Sequence, residues 1–268
     1  MFNRLVLVFP FCLLAALLSA PVVRVVLAVC GFFLPIAFLR AQETARAVIE
    51  KAIEAQGGET QVAKLRIMRI KVELKMDLGP DQKDVPVILE DTWQMPDNYK
   101  TVSRFKVSGE TLTHTMVIDG EKGWEQVNAQ VMDLPKSRLV EFREQKHGED
   151  LDRLAFLKEK GHELSLLEEI KIHGKPAVGA LIKSKGHRDV KLYFDKSSGL
   201  LVKRERQIGG DAGKEVLQEV FFSDYQEQDG LKHYRKISGF HDGKKFAEGT
   251  VTEVEFFDKL DPKVFAKP

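Results

Sequence analysis

The chain has 268 residues, of which 43% are hydrophobic and 30% charged, with 41 basic against 40 acidic side chains and two cysteines. That balance argues against nucleic acid as a partner, because a basic face is the usual footprint of such binding. Both cysteines, Cys12 and Cys30, fall in the first 41 residues. A chain starting at Gln42 therefore has no disulfide framework, cysteine nucleophile or thiolate metal site.

Arg4, Arg24 and Arg40 are the only charges in residues 1–41. Arg24, the apolar run Val25–Ile36 and the small residue Ala41 have the layout of an export signal cut before Gln42. Leu5–Val23 approaches the length of about 20 residues that spans a bilayer. Residues 1–41 thus read as a cleaved signal, the preferred reading, or as an N-terminal membrane anchor; translation starting near Val22 would also explain the long leader. Leu27-Ala28-Val29-Cys30 is similar to a lipobox, but Val29 is bulky before the cut and the apolar run continues past Cys30. Either way the protein is expected to be exported to the periplasm or cell envelope, with residues 42–268 as one domain.

Glu43–Gln56 reads as an amphipathic helix, with Ala45, Val48, Ala52 and Ile53 on one face and Gly57-Gly58 as the stop. A short helical turn follows over Glu59–Lys64. Met68, Ile70, Val72, Leu74 and Met76 then alternate with charged residues, the pattern of a strand with one solvated face. After the turn at Gly79-Pro80-Asp81, Val87, Leu89, Trp93 and Met95 share a face that Asp91 interrupts. A strand over Tyr99–Val107, which carries Phe105, precedes one lined by Leu112, His114, Met116 and Ile118. Asp119–Gly123 closes a hairpin that leads into Trp124.

The period changes over Lys136–Lys160, where Leu139, Phe142, Leu151, Leu154, Phe156 and Leu157 take mixed helical spacings among many charges. His147-Gly148 is expected to break this stretch into two helices. Strands resume over Leu164–His173, Ala177–Ser184, Asp189–Asp195, Leu200–Ile208, Glu215–Tyr225, Lys232–Phe240 and Phe246–Phe257. Their short turns imply an antiparallel meander, and such a sheet must curl or stack to bury one face.

Little in this pattern carries catalytic chemistry. The seven histidines form no compact ligand spacing. Ser108-Gly109 and Ser197-Ser198-Gly199 are turn sequences rather than nucleophile elbows. The run Gly209–Gly213 lacks the lysine and helix of a phosphate loop and reads as a long hairpin loop. The expectation is a non-enzymatic protein with no catalytic residue, cofactor or metal. The Met and Trp residues of the first strands fit either a packed core or a pliable apolar cavity, since thioethers and indoles adapt to irregular ligands.

Several segments carry a family resemblance. They are the helix ending in Gly57-Gly58, Trp93-Gln94-Met95-Pro96-Asp97-Asn98-Tyr99, Ile118–Trp124, the helical insert, Gly174–Gly179 and Leu192–Leu201. Over about residues 43–262 the chain resembles the LolA/LolB-like lipoprotein-carrier superfamily, nearest to its outer-membrane lipoprotein-sorting-like members. The resemblance implies an α+β fold: a strongly curved antiparallel half-barrel of about 11–13 strands, with the N-terminal helix and a mid-chain helical lid over the concave face. It also implies an apolar cavity formed by Met68, Ile70, Val72, Leu74, Trp93, Met95, Phe105, Met116, Ile118 and Trp124. Leu139, Phe142, Leu154, Phe156 and Leu157 would belong to the lid. The expected partners are a lipid or lipoprotein acyl chain and a membrane-bound loading or receiving protein, with the chain itself a monomer. The alternative is an envelope sensor or scaffold whose cavity is filled by its own helices.

Overall fold

A computed structural model describes residues 44–79, 81–210 and 213–268. The leader with Cys12 and Cys30, and Asp211-Ala212 of the glycine-rich loop, lie outside these residues, as does any reading placed on them.

The first helix, α1 (44–56), buries Ala45, Ala52 and Ile53 of the stripe its spacing implied, together with Ile49, while Val48 of that stripe is half-buried. It stops at Gly57, whose φ of +130° suits glycine and where a Cβ would lie 2.3 Å from the carbonyl oxygen of Gly230. The short α2 (Glu59–Ala63) and a 3-10 turn over Lys64–Arg66 deliver the chain into the sheet.

Six strands follow as hairpins: β1 (Ile67–Met76), β2 (Val85–Gln94), β3 (Asn98–Val107), β4 (Glu110–Asp119), β5 (Lys122–Val127) and β6 (Gln130–Asp133). After α3 (Lys136–Asp152) come seven more: β7 (His162–Ile172), β8 (Lys175–Ser184), β9 (Val190–Asp195), β10 (Leu201–Gly209), β11 (Glu215–Gln228), β12 (Leu231–His241) and β13 (Lys244–Phe256). All 13 form one open sheet in the order β6-β5-β4-β3-β2-β1-β13-β12-β11-β10-β9-β8-β7. Two meanders are therefore joined through the antiparallel β1–β13 pair, with Met68 opposite Phe256 and Met76 opposite Ala247. Register shifts at Lys71/Val72, Gly239/Phe240, Leu201/Lys203 and Leu167/Ile170 add local bends and twist. The result is the curved α+β half-barrel expected from the sequence.

This topology places α3. It links β6 at one edge to β7 at the other, so it has to cross the sheet, and Phe142 and Leu151 bury its inner side in the concave core. The break expected at His147-Gly148 is absent, because α3 runs unbroken through both residues to Asp152. Glycine is tolerated there for packing reasons: a Cβ on Gly148 would fall 2.2 Å from Nη1 of Arg206. Residues 153–161 then form turns, with Leu154 and Leu157 almost fully buried.

The main core fills the concave face, from Met68, Ile70 and Val72 across to Ile182, Leu192 and Phe194. The outer face carries a separate cluster of Val117, Trp124, Leu260 and Phe265. There the C-terminal 3-10 turn over Pro262–Phe265 covers part of the sheet.

Candidate functional site

One end of the concave face is filled. Trp93 stacks on Tyr99 with ring centroids 5.2 Å apart, and Tyr99 meets Phe142 of α3 at the same distance. The guanidinium of Arg153 lies 3.6 Å from the centre of the Trp93 ring and donates from Nε to the Met68 sulfur. Tyr99 Oη donates to Asp91 Oδ1 at 3.1 Å, which gives the carboxylate interrupting the apolar face of β2 a partner.

The other end is open. A cavity of about 630 Å³ lies between α3 and the sheet. Leu74, Val87, Leu89, Phe105, Met116, Val220 and Ile237 form its apolar floor, while Glu141, Glu144, Gln145, His147 and Glu149 of α3 face it from above. Arg204 and Arg206 of β10 also line it. A smaller void of about 100 Å³ lies among Ile70, Val72, Trp93, Asp91, Glu149, Asp152, Arg153 and Arg204.

Ion pairs and hydrogen bonds hold α3 to both halves of the sheet. On the first half, Arg138 pairs with Glu125 at 3.0 Å, Arg143 donates to the Gly120 carbonyl at 2.8 Å, and Lys146 donates to the Pro96 carbonyl. On the second, Glu141 accepts two hydrogen bonds from Arg188, at 2.7 and 2.8 Å, and Glu144 bonds the His187 ring and the Arg188 backbone N–H. Deeper in, Asp152 pairs with Arg204, while Arg206 donates from Nη1 to the carbonyls of Glu144 and Gln145.

Burial shifts the protonation of these groups. Desolvation pushes Asp152 up to about 6 even with Arg204 beside it, and Asp150 up to about 6 despite Lys146. Burial, reinforced by Glu149, also pushes Asp91 well up. His147 is held down to about 3 by burial and by His187, whose ring lies 3.8 Å away, centre to centre.

The sequence-predicted cavity residues divide between these regions. Leu74, Phe105 and Met116 line the large cavity, and Ile70, Val72 and Trp93 line the small void. Met68, Met95 and Ile118 are buried in the concave core outside both. Trp124 does not face the concave side: it pairs with Val117 in register, and both point to the outer face against the C-terminal segment. Among the lid residues, Phe142 lines the cavity and Leu139 packs over Gly123. Leu154 and Leu157 are in the core, and Phe156 lies under the Arg66 guanidinium.

Sequence reasoning missed Arg204 and Arg206. The run Lys203-Arg204-Glu205-Arg206 has the composition of a solvated strand, yet both arginines are only 5% exposed. The available signal was that they share a strand face with Ile208, which also lines the cavity.

No family model and no curated protein matches the chain. Solved structures do. A LolA superfamily protein from Nitrosomonas europaea superposes with a TM-score of 0.56 at 15% identity, covering 83% of this chain and 97% of that one. A domain assigned to outer membrane lipoprotein sorting, from Vibrio parahaemolyticus, superposes with a TM-score of 0.51 at 14% identity, covering 82% and 97%. Among the described residues no helix is long and apolar enough to cross a membrane. The 13-stranded open sheet, the helix crossing it from edge to edge and these superpositions together identify the fold as LolA-like.

Proposed function

We propose that this is an exported envelope protein that holds a lipid or the acyl chain of a lipoprotein in the concave cavity, and exchanges it with a membrane-bound partner. The observation that carries the reading is the cavity of about 630 Å³ on an apolar floor under α3. That volume falls within the range of about 300–1,000 Å³ of small-molecule sites. Each CH₂ buried there contributes about 0.8 kcal/mol, so a single chain suffices for useful affinity. The LolA-like fold and the signal-like leader agree with this reading.

The second reading, a sensor or scaffold module filled by its own helices, draws on the other end of the same face. Phe142, Leu154 and Leu157 are each 3% exposed or less and already occupy it. The two readings differ in whether the open end takes a guest. Native mass spectrometry of the purified protein, together with displacement of a fluorescent fatty-acyl probe, tests this. Bound lipid or saturable displacement supports the carrier reading. A folded protein that binds no probe and carries no lipid sinks it in favour of the scaffold.

A further inference from the structure

We propose that the occupant of this cavity is an acidic amphiphile, its anionic head held by Arg206 and Arg204 and its tail laid over Leu74, Leu89, Phe105 and Met116. The inference rests on the carrier reading and names the chemical class of its ligand.

Arg204 and Arg206 alternate along β10, so both project into the concave side, and both line the cavity. Each is 5% exposed. Arg204 is paired with Asp152, and its Nε is buried without a partner. Arg206 donates from Nε to Gln218 Oε1 at 2.9 Å and from Nη1 to the carbonyls of Glu144 and Gln145 at 2.9 and 3.0 Å. All three acceptors are neutral. No carboxylate stands within ion-pair distance of Arg206 among the described residues, and its Nη2 makes no hydrogen bond to them.

The other charged side chains near the cavity have direct partners. Arg138 is paired with Glu125 and Arg188 with Glu141, while Glu144 is engaged by His187 and Arg188. The carboxylates of Glu149, Asp152 and Glu144 act on Arg206 only from beyond ion-pair distance. A buried guanidinium whose direct acceptors are all neutral, and whose Nη2 is free, can still take a charged acceptor, and its planar fork is suited to a carboxylate or phosphate oxygen pair. An apolar floor running up to such a cation is the shape of a site for a chain with an acidic end. A neutral chain would satisfy the floor and leave Arg206 as it is.

The test measures binding of oleate, methyl oleate and inorganic phosphate to the purified protein, to Arg206→Gln and Arg206→Lys, and to a control, Arg69→Gln, whose guanidinium pairs with Glu255 away from the cavity. The expected result is that oleate binds about tenfold or more tightly than its methyl ester, the equivalent of one charge-assisted contact. Arg206→Gln should collapse that preference and leave the ester's affinity unchanged. Arg206→Lys should retain part of the preference, and Arg69→Gln should retain all of it. Equal binding of oleate and methyl oleate overturns the head-group assignment and leaves the carrier reading standing. Binding of neither overturns both. Phosphate binding as tightly as oleate marks a free-anion site and overturns the amphiphile. If Arg206→Gln fails to fold, the comparison of acid with ester on the parent protein still decides.

Discussion

Replacing Gly148 with alanine tests how α3 is seated. In an exposed helix interior this change gains about 1 kcal/mol, because alanine has the higher helix propensity. Here the new Cβ would lie 2.2 Å from Nη1, 3.0 Å from Cζ and 3.2 Å from Cδ of Arg206. The guanidinium is buried and has to leave, giving up its bonds to the carbonyls of Glu144 and Gln145. Hydrogen bonds to charged groups contribute about 1.5–3 kcal/mol each, so the loss outweighs the helix gain even if Arg206 recovers one of the two. The expected net effect, in urea unfolding monitored by far-UV circular dichroism, is a destabilisation of about 2–5 kcal/mol with both bonds lost and about 0.5–2 kcal/mol with one recovered. In an Arg206→Met background the obstacle is removed, and the same substitution should stabilise by a few tenths to about 1 kcal/mol. A Gly148→Ala protein more stable than its parent would refute the claim that the arginine occupies the space glycine leaves.

Three further outcomes are expected. Asp152→Ala leaves Arg204 buried beside an empty place and should cost about 3–5 kcal/mol by urea unfolding, more than loss of the exposed Lys183–Asp189 pair, which should cost under about 1 kcal/mol. His147 has its pKa depressed below the ordinary value, so its neutral form is favoured by folding and its contribution, complete above pH 6.5, is lost as pH falls toward 3. Asp150 and Asp152, raised to about 6, act in the opposite sense, so the comparison of His147→Gln with its parent isolates the histidine. The variant should lose less stability between pH 6.5 and 4, by up to about 1.4 kcal/mol per pH unit, and an unchanged slope would contradict the assignment. Acyl-chain binding should change tryptophan emission in a Trp124→Phe protein, whose remaining indole is under α3, and not in Trp93→Phe, whose remaining indole is on the outer face.

The fold was legible because local patterns carried it. Strict alternation from Met68 to Met76 and the Asp-Gly turns at 119–120, 229–230 and 242–243 mark strands and hairpins within a few residues of where they occur. The face on which Trp124 sits was not legible, since it depends on the register that sets it opposite Val117. Gly148 reads locally as a helix breaker; the reason it is not one is Arg206, which comes from another strand and needs the missing Cβ. Arg204 and Arg206 were hidden for the same reason. Their partners stand on α3, 52 residues from Arg204 in the case of Asp152 and 62 and 61 residues from Arg206 in the case of Glu144 and Gln145. A charged strand looks solvated until the helix that satisfies it is placed.

The same separation explains why a cavity exists under α3 at all. An apolar lid over an apolar floor gains by closing onto it, and each Å² removed from water adds about 25 cal/mol. On the inner side of α3, by contrast, Glu141 and Glu144 are bonded outward to Arg188 and His187, and Arg206 is drawn up to the helix carbonyls. These side chains cannot drop into the space below without giving up their partners and facing hydrocarbon unpaired. The turns at 153–157 instead direct Leu154 and Leu157 onto the sheet, and there the concave face is filled. A polar strut over one end and an apolar plug at the other thus hold half of the groove open. They also leave Arg206, whose direct hydrogen-bond acceptors are all neutral, facing the cavity.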